Sequence, residues 1–569
     1  MIRACRALGI VSVAVYSEAD AGAYHVRLAD EAVALTGRTA TGSYLDQGQL
    51  LAAVEASGAQ AVHPGYGFLS ENAAFAAAVV EAGVAFVGPP PAAIEMMGDK
   101  LSARQAAEKA GVAVVPGTTV ALGGADEVVA FGEAVGWPVA IKAAFGGGGR
   151  GIRVVASAAE ARDAFASAAA EAEAGFGHAE CYVERYLTWP RHIEMQVFAD
   201  GQGRTVWLGE RECSIQRRHQ KLIEEAPAPS FGDDVRRAMG EAAVRVAQVA
   251  GYEGAGTVEF LYEDGQFFFL EMNTRLQVEH PITELVTGLD LVAEQIRVAA
   301  GRPLSFTQNS VARRGHAIEC RINAEDPAGG RFIPSPGTVT ALVPPQGPGV
   351  RWDGGYEAGD EVSPYYDNLI GKLVVWAPDR PAALARMAAA LAEFRLEGVP
   401  TTVPAQQAIL GHPDFVDARH STVWLEQRLA LPEPSGAGPG DGDGDGGGAG
   451  GRSQEVRVAG RWYTIPRPGV ESRPPARGRH GGAAGVATAS GTVTSQMQGT
   501  VVRVLVAVGD VVEAGQGVCA VEAMKMESVL KSGVAGTVAE VKVAPGQPVR
   551  AGEALVVIEP QAAGPGSAP

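Results

Sequence analysis

Apolar runs at 11–16, 61–63 and 85–87 alternate with Ala-rich stretches of helical length over the first 97 residues. That alternation predicts helices packed on a parallel sheet. HPGYGFLSEN, 63–72, follows the second run directly. Its glycines and proline predict a rigid loop at a strand's C-terminal end, where α/β folds place ligands. MGDKLSARQAAEKAGV, 97–112, carries an amphipathic helical pattern with Lys100 in its first turn. WPVAIKAAFGGGGRGI, 137–152, reads as a strand bearing Lys142, then four glycines that include Gly147 and Gly148, then Arg150. CYVERYL, 181–187, predicts a strand running into a short link, a seat for an adenine ring.

The run 257–281, TVEFLYEDGQFFFLEMNTRLQVEHP, predicts a β-hairpin followed by a polar string. Glu259 and Glu271 sit inside its apolar strands, where an unpaired carboxylate is costly to bury. A two-residue Asp264-Gly265 loop would put them on opposite faces. A three-residue loop, Glu263-Asp264-Gly265, pairs Tyr262 with Gln266 and sets Glu259 opposite Phe269 and Glu271 opposite Thr257. The three-residue loop is expected here. It makes the carboxylates diagonal neighbours, able to hold Mg²⁺ against a substrate's phosphates with Asn273 as a further oxygen ligand. Arg275, Gln277 and Glu279 follow at alternate positions and share a face if the segment is extended.

Residues 301–428 are strand-rich and end in a helix, and 429–490 form a Gly/Pro-rich linker. A Gly-rich chain of about 20 residues spans on the order of 25 Å and leaves a tethered domain free to swing. DGDGDGGG at 441–448 imitates an EF-hand start, but Arg452 stands where the twelfth-position glutamate is required, so calcium is not expected. Within the linker, 455–466 alternates like a small hairpin, either a remnant of a docking domain or an ornament. In 491–561 period-2 alternation returns, and it repeats: GTVVRVLVAVGDVVEAGQ from Gly499 matches GTVAEVKVAPGQPVRAGE from Gly536, displaced by 37 positions. Two β-rich halves in tandem predict a small quasi-symmetric sandwich, with EAMKME between them and Lys525 on an exposed turn.

Composition narrows the function. At 569 residues the chain needs several cores, and its net charge of -18 argues against a general nucleic-acid binder. Five scattered cysteines without CxxC spacing predict a reduced, cytoplasmic protein with neither disulfide framework nor zinc site. No run of 18 apolar residues predicts a membrane span. The N-terminal MIRACRALGIVSVAV imitates a weak signal peptide, but no small-residue cleavage site follows, and it reads better as a helix end and a strand. The four glycines beside Lys142 and Arg150 let backbone N–H groups approach a polyphosphate, yet no GxxxxGK[ST] occurs, so they are not a Walker loop. Arg211, Arg217, Arg218, His219 and Lys221 concentrate cations just before a proline-rich turn.

Taken in order, HPGYGFLSEN, MGDK, KAAFGGGGRG, ERYL, RRHQK, EMNTRLQVEHP and ECRINAEDP resemble biotin carboxylase, an ATP-grasp enzyme, over residues 1–428. EAMKME in its repeat resembles the biotinyl domain of biotin-dependent carboxylases. The resemblance implies an N-terminal α/β domain (1–97), an ATP-grasp domain (98–300) with a lid at about 113–186, and a C-terminal α+β domain (301–428). A linker (429–490), an all-β biotinyl carrier (491–561) and a tail (562–569) follow. It implies MgATP-dependent carboxylation of biotin through carboxyphosphate, with Mn²⁺ able to replace Mg²⁺. Lys100, Lys142, Gly147, Gly148, Glu184, Leu187, His192, Gln216 and His219 match ATP-binding positions, and Glu259, Glu271 and Asn273 match metal positions. Lys221, Arg275, Gln277 and Val278 match the bicarbonate pocket, and Glu279 the general base. Arg321 matches the arginine that steadies biotin's ureido oxygen, and Lys525 the biotinylated lysine. Phe145 and Gln496-Met497-Gln498 depart from the commoner family residues without putting a function in doubt.

No stretch is left over for a carboxyltransferase. The chain therefore resembles the α subunit of an acyl-CoA carboxylase. It is expected to work in an oligomer with bicarbonate, with a biotin protein ligase and with a carboxyltransferase β subunit. A split methylcrotonyl-CoA, pyruvate or urea carboxylase, or a catalytically weakened carrier, is the alternative. MIRACRALGI resembles the second half of the family's first helix, and the strand that precedes it in the family is absent. The expectation is a functional start about 15–20 residues upstream, an offset taken from the resemblance; without it the N-terminal domain is expected to be loose.

Overall fold

A computed structural model describes residues 1–144, 152–176, 178–432, 453–458, 461–466, 491–495, 499–523, 526–545, 547–549 and 552–560. Gly147, Gly148 and Lys525 lie outside the described residues. The N-terminal strands are β1 (Val13–Tyr16), β2 (Glu31–Ala34), β3 (Ala61–Val62) and β4 (Ala85–Phe86). They pair parallel, as expected, but as two separate pairs, β1 with β2 and β3 with β4. A cavity of about 190 Å³ lies beside Val13 and Val15 on one pair and Ala61 and Val62 on the other. The predicted helix at 97–112 is two helices, Pro91–Gly98 and Lys100–Lys109, broken at Asp99. The Asp99 carboxylate caps the second by accepting from the backbone N–H of Leu101 and Ser102, and so sets Lys100 at its first position.

A small sheet follows, of β5 (Val139–Ala143), β6 (Ile152–Val155) and β7 (Cys181–Arg185), with β5 in the centre. The main sheet takes β8 (Arg191–Ala199), β9 (Thr205–Arg217), β10 (Gln220–Ala226), β11 (Gly254–Glu263), β12 (Gln266–Asn273), β13 (His316–Asn323), β14 (Val350–Gly354) and β15 (Leu369–Ala377). Their order is β12-β11-β8-β9-β10-β13-β15-β14. One side packs on the helix Asp233–Val249 through Met239, Ala243 and Val246, and the far end packs on Arg380–Glu393 through Ala383, Met387 and Leu391. The sheet therefore runs without interruption from the ATP-grasp segment into the C-terminal segment. Side chains from β8 to β13 can converge on one face.

The β11–β12 hairpin corrects the expected loop. Glu263 pairs with Gln266, so the turn has two residues, Asp264 at φ 50° and Gly265 at φ 78°. This left-handed pair matches the strand twist, and Asp-Gly is a sequence suited to it. The register then shifts by one between the pairs Glu259–Glu271 and Phe260–Phe269, which leaves Leu270 as the extra residue of a bulge. The bulge, not the turn, brings the two carboxylates to one face, and it sets them directly opposite each other rather than diagonally.

In the biotinyl segment every strand of the first half reappears 37 positions later in the other sheet. Gly499–Val504, Val511–Val512 and Gly517–Ala523 correspond to Gly536–Val541, Pro548–Val549 and Ala554–Pro560. Two four-stranded antiparallel sheets close over Val501, Val521, Val538 and Leu555, each worth about 1.5–3 kcal/mol when buried. Gly517–Ala523 and Met526–Lys531 pair as far as Ala523 and Met526, the residues that flank EAMKME's centre. The expected linker hairpin forms from Ser453–Val458 and Arg461–Pro466.

Candidate functional site

A cavity of about 2000 Å³ opens between the small sheet, the main sheet and the 63–72 loop. Lys100, Lys142, Glu184, Leu187, His192, Gln216, His219, Lys221, Glu259, Glu271, Asn273, Arg275, Gln277, Val278, Glu279 and Arg321 all line it. Its rim includes Val501 and Val502 of the biotinyl segment.

Lys221 is at the centre. Its Nζ lies 2.6 Å from Glu194, 3.1 Å from Glu259 and 2.7 Å from Glu279. Burial opposes its charge, but the three carboxylates outweigh burial and hold its pKa well above the ordinary value. Glu279 shares its oxygens between two cations, Lys221 and the Arg321 guanidinium at 2.9 Å. Burial would raise its pKa; Lys221, Arg321 and Arg211 reverse that and hold it well below the carboxylate range.

The positions expected to hold a metal are brought together by the bulge. Glu259 Oε1 accepts from Lys221, Asn273 Nδ2 (2.9 Å) and Gln277 Nε2 (3.0 Å), while Oε2 lies 3.0 Å from His192 Nε2. Burial acts against charge on His192, yet Glu259 and Glu194 raise its pKa. Glu271 is raised by burial and then by the charge of Glu259 opposite. A hard divalent cation between two facing carboxylates removes that repulsion, so Glu259, Glu271 and Asn273 fit Mg²⁺. Glu194 also clusters with His192 and Glu259, and with Cys213 and Glu279, at ligand spacing. Those clusters are already neutralised by Lys221 and Arg211, so they carry no case for a second ion.

On the nucleotide side, Glu184 is buried between Lys142 and Arg104 Nη1, the latter at 3.0 Å. Burial pulls the Lys100 ammonium down, with Glu271 opposing. Arg218 and His219 form the two-residue turn between β9 and β10, both left-handed at φ 47° and 64°. Segment 274–279 leaves the strand through a bend and a turn rather than continuing extended, but Arg275, Gln277 and Glu279 still face the cavity. Lys372 Nζ donates to the Val278 carbonyl at 2.7 Å.

Several residues that position this site were not anticipated. Arg211 is fully buried and spends all five donors: Nε to Glu194 (2.5 Å), Nη1 to Gln196 (2.6 Å) and Thr283 (3.0 Å), Nη2 to Thr257 (3.0 Å) and Gln277 (2.6 Å). Glu71, in the 63–72 loop, accepts from Arg275 Nε at 2.9 Å and from the Thr274 backbone N–H at 3.0 Å. The available signal was Glu194 and Gln196 alternating with apolar residues in β8, and Arg211 between Glu210 and Glu212 in the middle of a strand.

Comparison with known proteins agrees with this architecture. Residues 1–94 match the biotin carboxylase N-terminal domain, and 99–307 the ATP-binding domain of the carbamoyl-phosphate synthase L chain. Residues 319–427 match the biotin carboxylase C-terminal domain, and 491–558 the biotin-requiring enzyme domain. The biotin-dependent acyl-coenzyme A carboxylase alpha3 subunit of Mycobacterium leprae is 46% identical over 551 residues, 93% of this chain and 91% of that one. A pyruvate carboxylase subunit of Methanothermobacter thermautotrophicus is 49% identical, covering 76% of this chain and 90% of its own. A crystal structure of biotin carboxylase from Campylobacter jejuni superposes with a TM-score of 0.73 at 43% identity, over 75% of this chain and 95% of that one.

Proposed function

The chain belongs to the biotin-dependent carboxylases, as a biotin carboxylase joined to a biotin carrier domain, and from that premise we propose that it is the α subunit of an acyl-CoA carboxylase. It is an ATP-dependent ligase that carboxylates biotin and uses Mg²⁺. In this reading Lys221, Arg275, Gln277 and the Val278 backbone hold bicarbonate, and Glu279 takes its proton. A carboxylate held so far below its ordinary range is a weak base. Bicarbonate would draw the Lys221 donor away and biotin the Arg321 donor, and Glu279 would then become basic once both substrates are in place. Lys100 and Lys142 neutralise the phosphates from the small-sheet side, where closure excludes water, and His219, whose pKa burial lowers, donates to them as a neutral imidazole. When bound, Mg²⁺ at Glu259, Glu271 and Asn273 supplies charge neutralisation to phosphoryl transfer. Arg321 meets the charge that develops on biotin's ureido oxygen. Lys525, between Ala523 and Met526 in sequence, carries the biotin.

The observation that carries this reading is Glu279 with one oxygen on Lys221 and the other on Arg321, a base set between the bicarbonate cations and the biotin arginine. A carboxyltransferase β subunit supplies the acyl transfer, acetyl- or propionyl-CoA being the expected acceptors. The identity to a pyruvate carboxylase component favours a second reading, in which the acceptor is pyruvate. The test is phosphate release by the purified chain, which should require bicarbonate and free biotin together. Acyl-CoA or pyruvate should be carboxylated only once the carboxyltransferase partner is present, and the acceptor turned over identifies the class. Coexpression with a biotin ligase should add one biotin, and Lys525→Arg should abolish the addition; labelling of that variant would place the carrier lysine elsewhere.

A further inference from the structure

Behind Arg321 stand two carboxyl groups that the scheme above leaves idle. Glu224 on β10 and Glu319 on β13 are directly opposite in register, and both are fully buried. Arg321 follows Glu319 by two positions and therefore shares its face. It donates Nε to Glu224 at 2.6 Å and Nη2 to Glu279 at 2.9 Å. Three carboxyl groups thus surround one guanidinium. Among the described residues neither oxygen of Glu319 has a hydrogen-bond partner, nor does Oε2 of Glu224.

The other charged groups nearby do not fill the gap. Lys372 on β15 lies opposite Arg321, donates to the Val278 carbonyl and is 3.9 Å from Asp353 of β14. Lys221 on β10 is committed to Glu194, Glu259 and Glu279. His280, at the start of the helix His280–Thr287, is kept neutral by burial. An ionised carboxylate with no donor and a like charge opposite it is among the costliest arrangements in a protein interior, and protonation removes the cost. Burial pushes Glu319 well up against the pull of Lys372, and pushes Glu224 to about 7 against the pull of Arg321.

We propose that Glu319 is a positioning residue: a carboxyl that keeps its proton through the working pH range, so that Arg321 faces at most two carboxylates, Glu224 and Glu279, rather than three. Arg321 then keeps enough positive field to meet charge on biotin's ureido oxygen. This rests on the role given to Arg321 above. If Glu319 ionised, a third anion would neutralise that field, and carboxylation would slow as the proton leaves.

Two measurements on the full chain test it. Infrared difference spectra of wild type against Glu319→Gln should show a protonated-carboxyl band that persists in wild type at mildly alkaline pH. In biotin-dependent ATP cleavage, Glu319→Gln should stay within about twofold of wild type at neutral pH and shift the alkaline fall in kcat/KM for biotin upward by about one pH unit or more. A missing band, or alkaline limbs that coincide, overturns the proposal. Should the Gln variant fail to fold, Glu319→Asp takes its place in the difference spectrum: a carboxyl band that shifts between the two proteins at mildly alkaline pH is expected, and the absence of any shifted band overturns the proposal. Arg321→Lys separates the premise from the inference: if it leaves KM for biotin unchanged while the band persists, the role of Arg321 is wrong and the protonation of Glu319 stands.

Discussion

Glu271, half-buried, and Glu279, buried, are carboxylates eight positions apart, and their neighbours push them in opposite directions. Burial and the facing Glu259 raise Glu271, whereas Lys221, Arg321 and Arg211 overcome burial at Glu279. The first gains from a cation set between it and Glu259; the second becomes a base only when its cationic partners turn to substrate. Glu279→Gln should therefore leave MgATP binding nearly intact and cut turnover by a factor of about 10² or more, while Glu271→Gln should weaken metal-dependent ATP binding. Equal loss of nucleotide affinity in titrations of the two variants would contradict this division. Both residues were legible because each sits in a dense polar string of fixed order. Arg211 and Glu194 were not assigned to the site: their partners come from β8, β11, the segment after β12 and a later helix, and no local spacing encodes that meeting.

At the level of elements, two hairpins carry the site, and both turn on left-handed pairs. Asp264-Gly265 suits that conformation, but Arg218-His219 does not, at about 1–2 kcal/mol for each non-glycine residue. Strain kept in a turn that lines the nucleotide side of the cavity points to a function for the side chains themselves. Asparagine tolerates the left-handed region, so His219→Asn should melt no lower than the parent. It should nonetheless raise KM for ATP by about tenfold, the loss of one charge-assisted hydrogen bond. An unchanged KM would make His219 a turn residue only. The β11–β12 hairpin shows where sequence reasoning ran short. Asp-Gly was visible as a turn, but the bulge at Leu270 lies on the edge strand β12, beside the point where the Phe269 N–H reaches the distant Ala113 carbonyl, and alternation alone cannot show it. The conclusion that Glu259 and Glu271 share a face was right, with the wrong element responsible. The 37-residue repeat, by contrast, was legible strand for strand, because each half repeats the same alternation and its own turn residues.

For the whole molecule, pH and sheet continuity set the stability. His63, beside Gln295, is lowered to about 4 by burial, and burial likewise lowers His280 and His420. Their folded pKa values lie below the ordinary 6.5, so the stability they contribute is complete above about 6.5 and is lost as pH falls from there towards 4, at up to about 1.4 kcal/mol per pH unit for each group. His192, raised, works the other way. Thermal melts should therefore fall over that window, and His63→Gln should flatten the fall; an identical pH profile in the variant would show that His63 is not responsible. Sheet continuity gives the last prediction. The β1–β2 and β3–β4 pairs do not join, and the apolar cavity beside Val13, Val15, Ala61 and Val62 is walled by both. The Met1 side chain reaches to 3.9 Å from where a Cβ on Gly65 would stand, and Gly65 lies just past the end of β3. A strand seated in the cavity, followed by the helix Ile2–Ala7 and then β1, would make the right-handed crossover that parallel strands require. It would pair the inner edges of β1 and β3 and bury about four apolar side chains, on the order of 6–12 kcal/mol before the chain entropy of ordering them is subtracted. Joining about five alternating aliphatic residues and a Gly-containing turn ahead of Met1 should therefore raise Tm and slow amide exchange in β1 and β3. Equal melting temperatures and equal exchange in the two proteins would show that the cavity does not accept a strand.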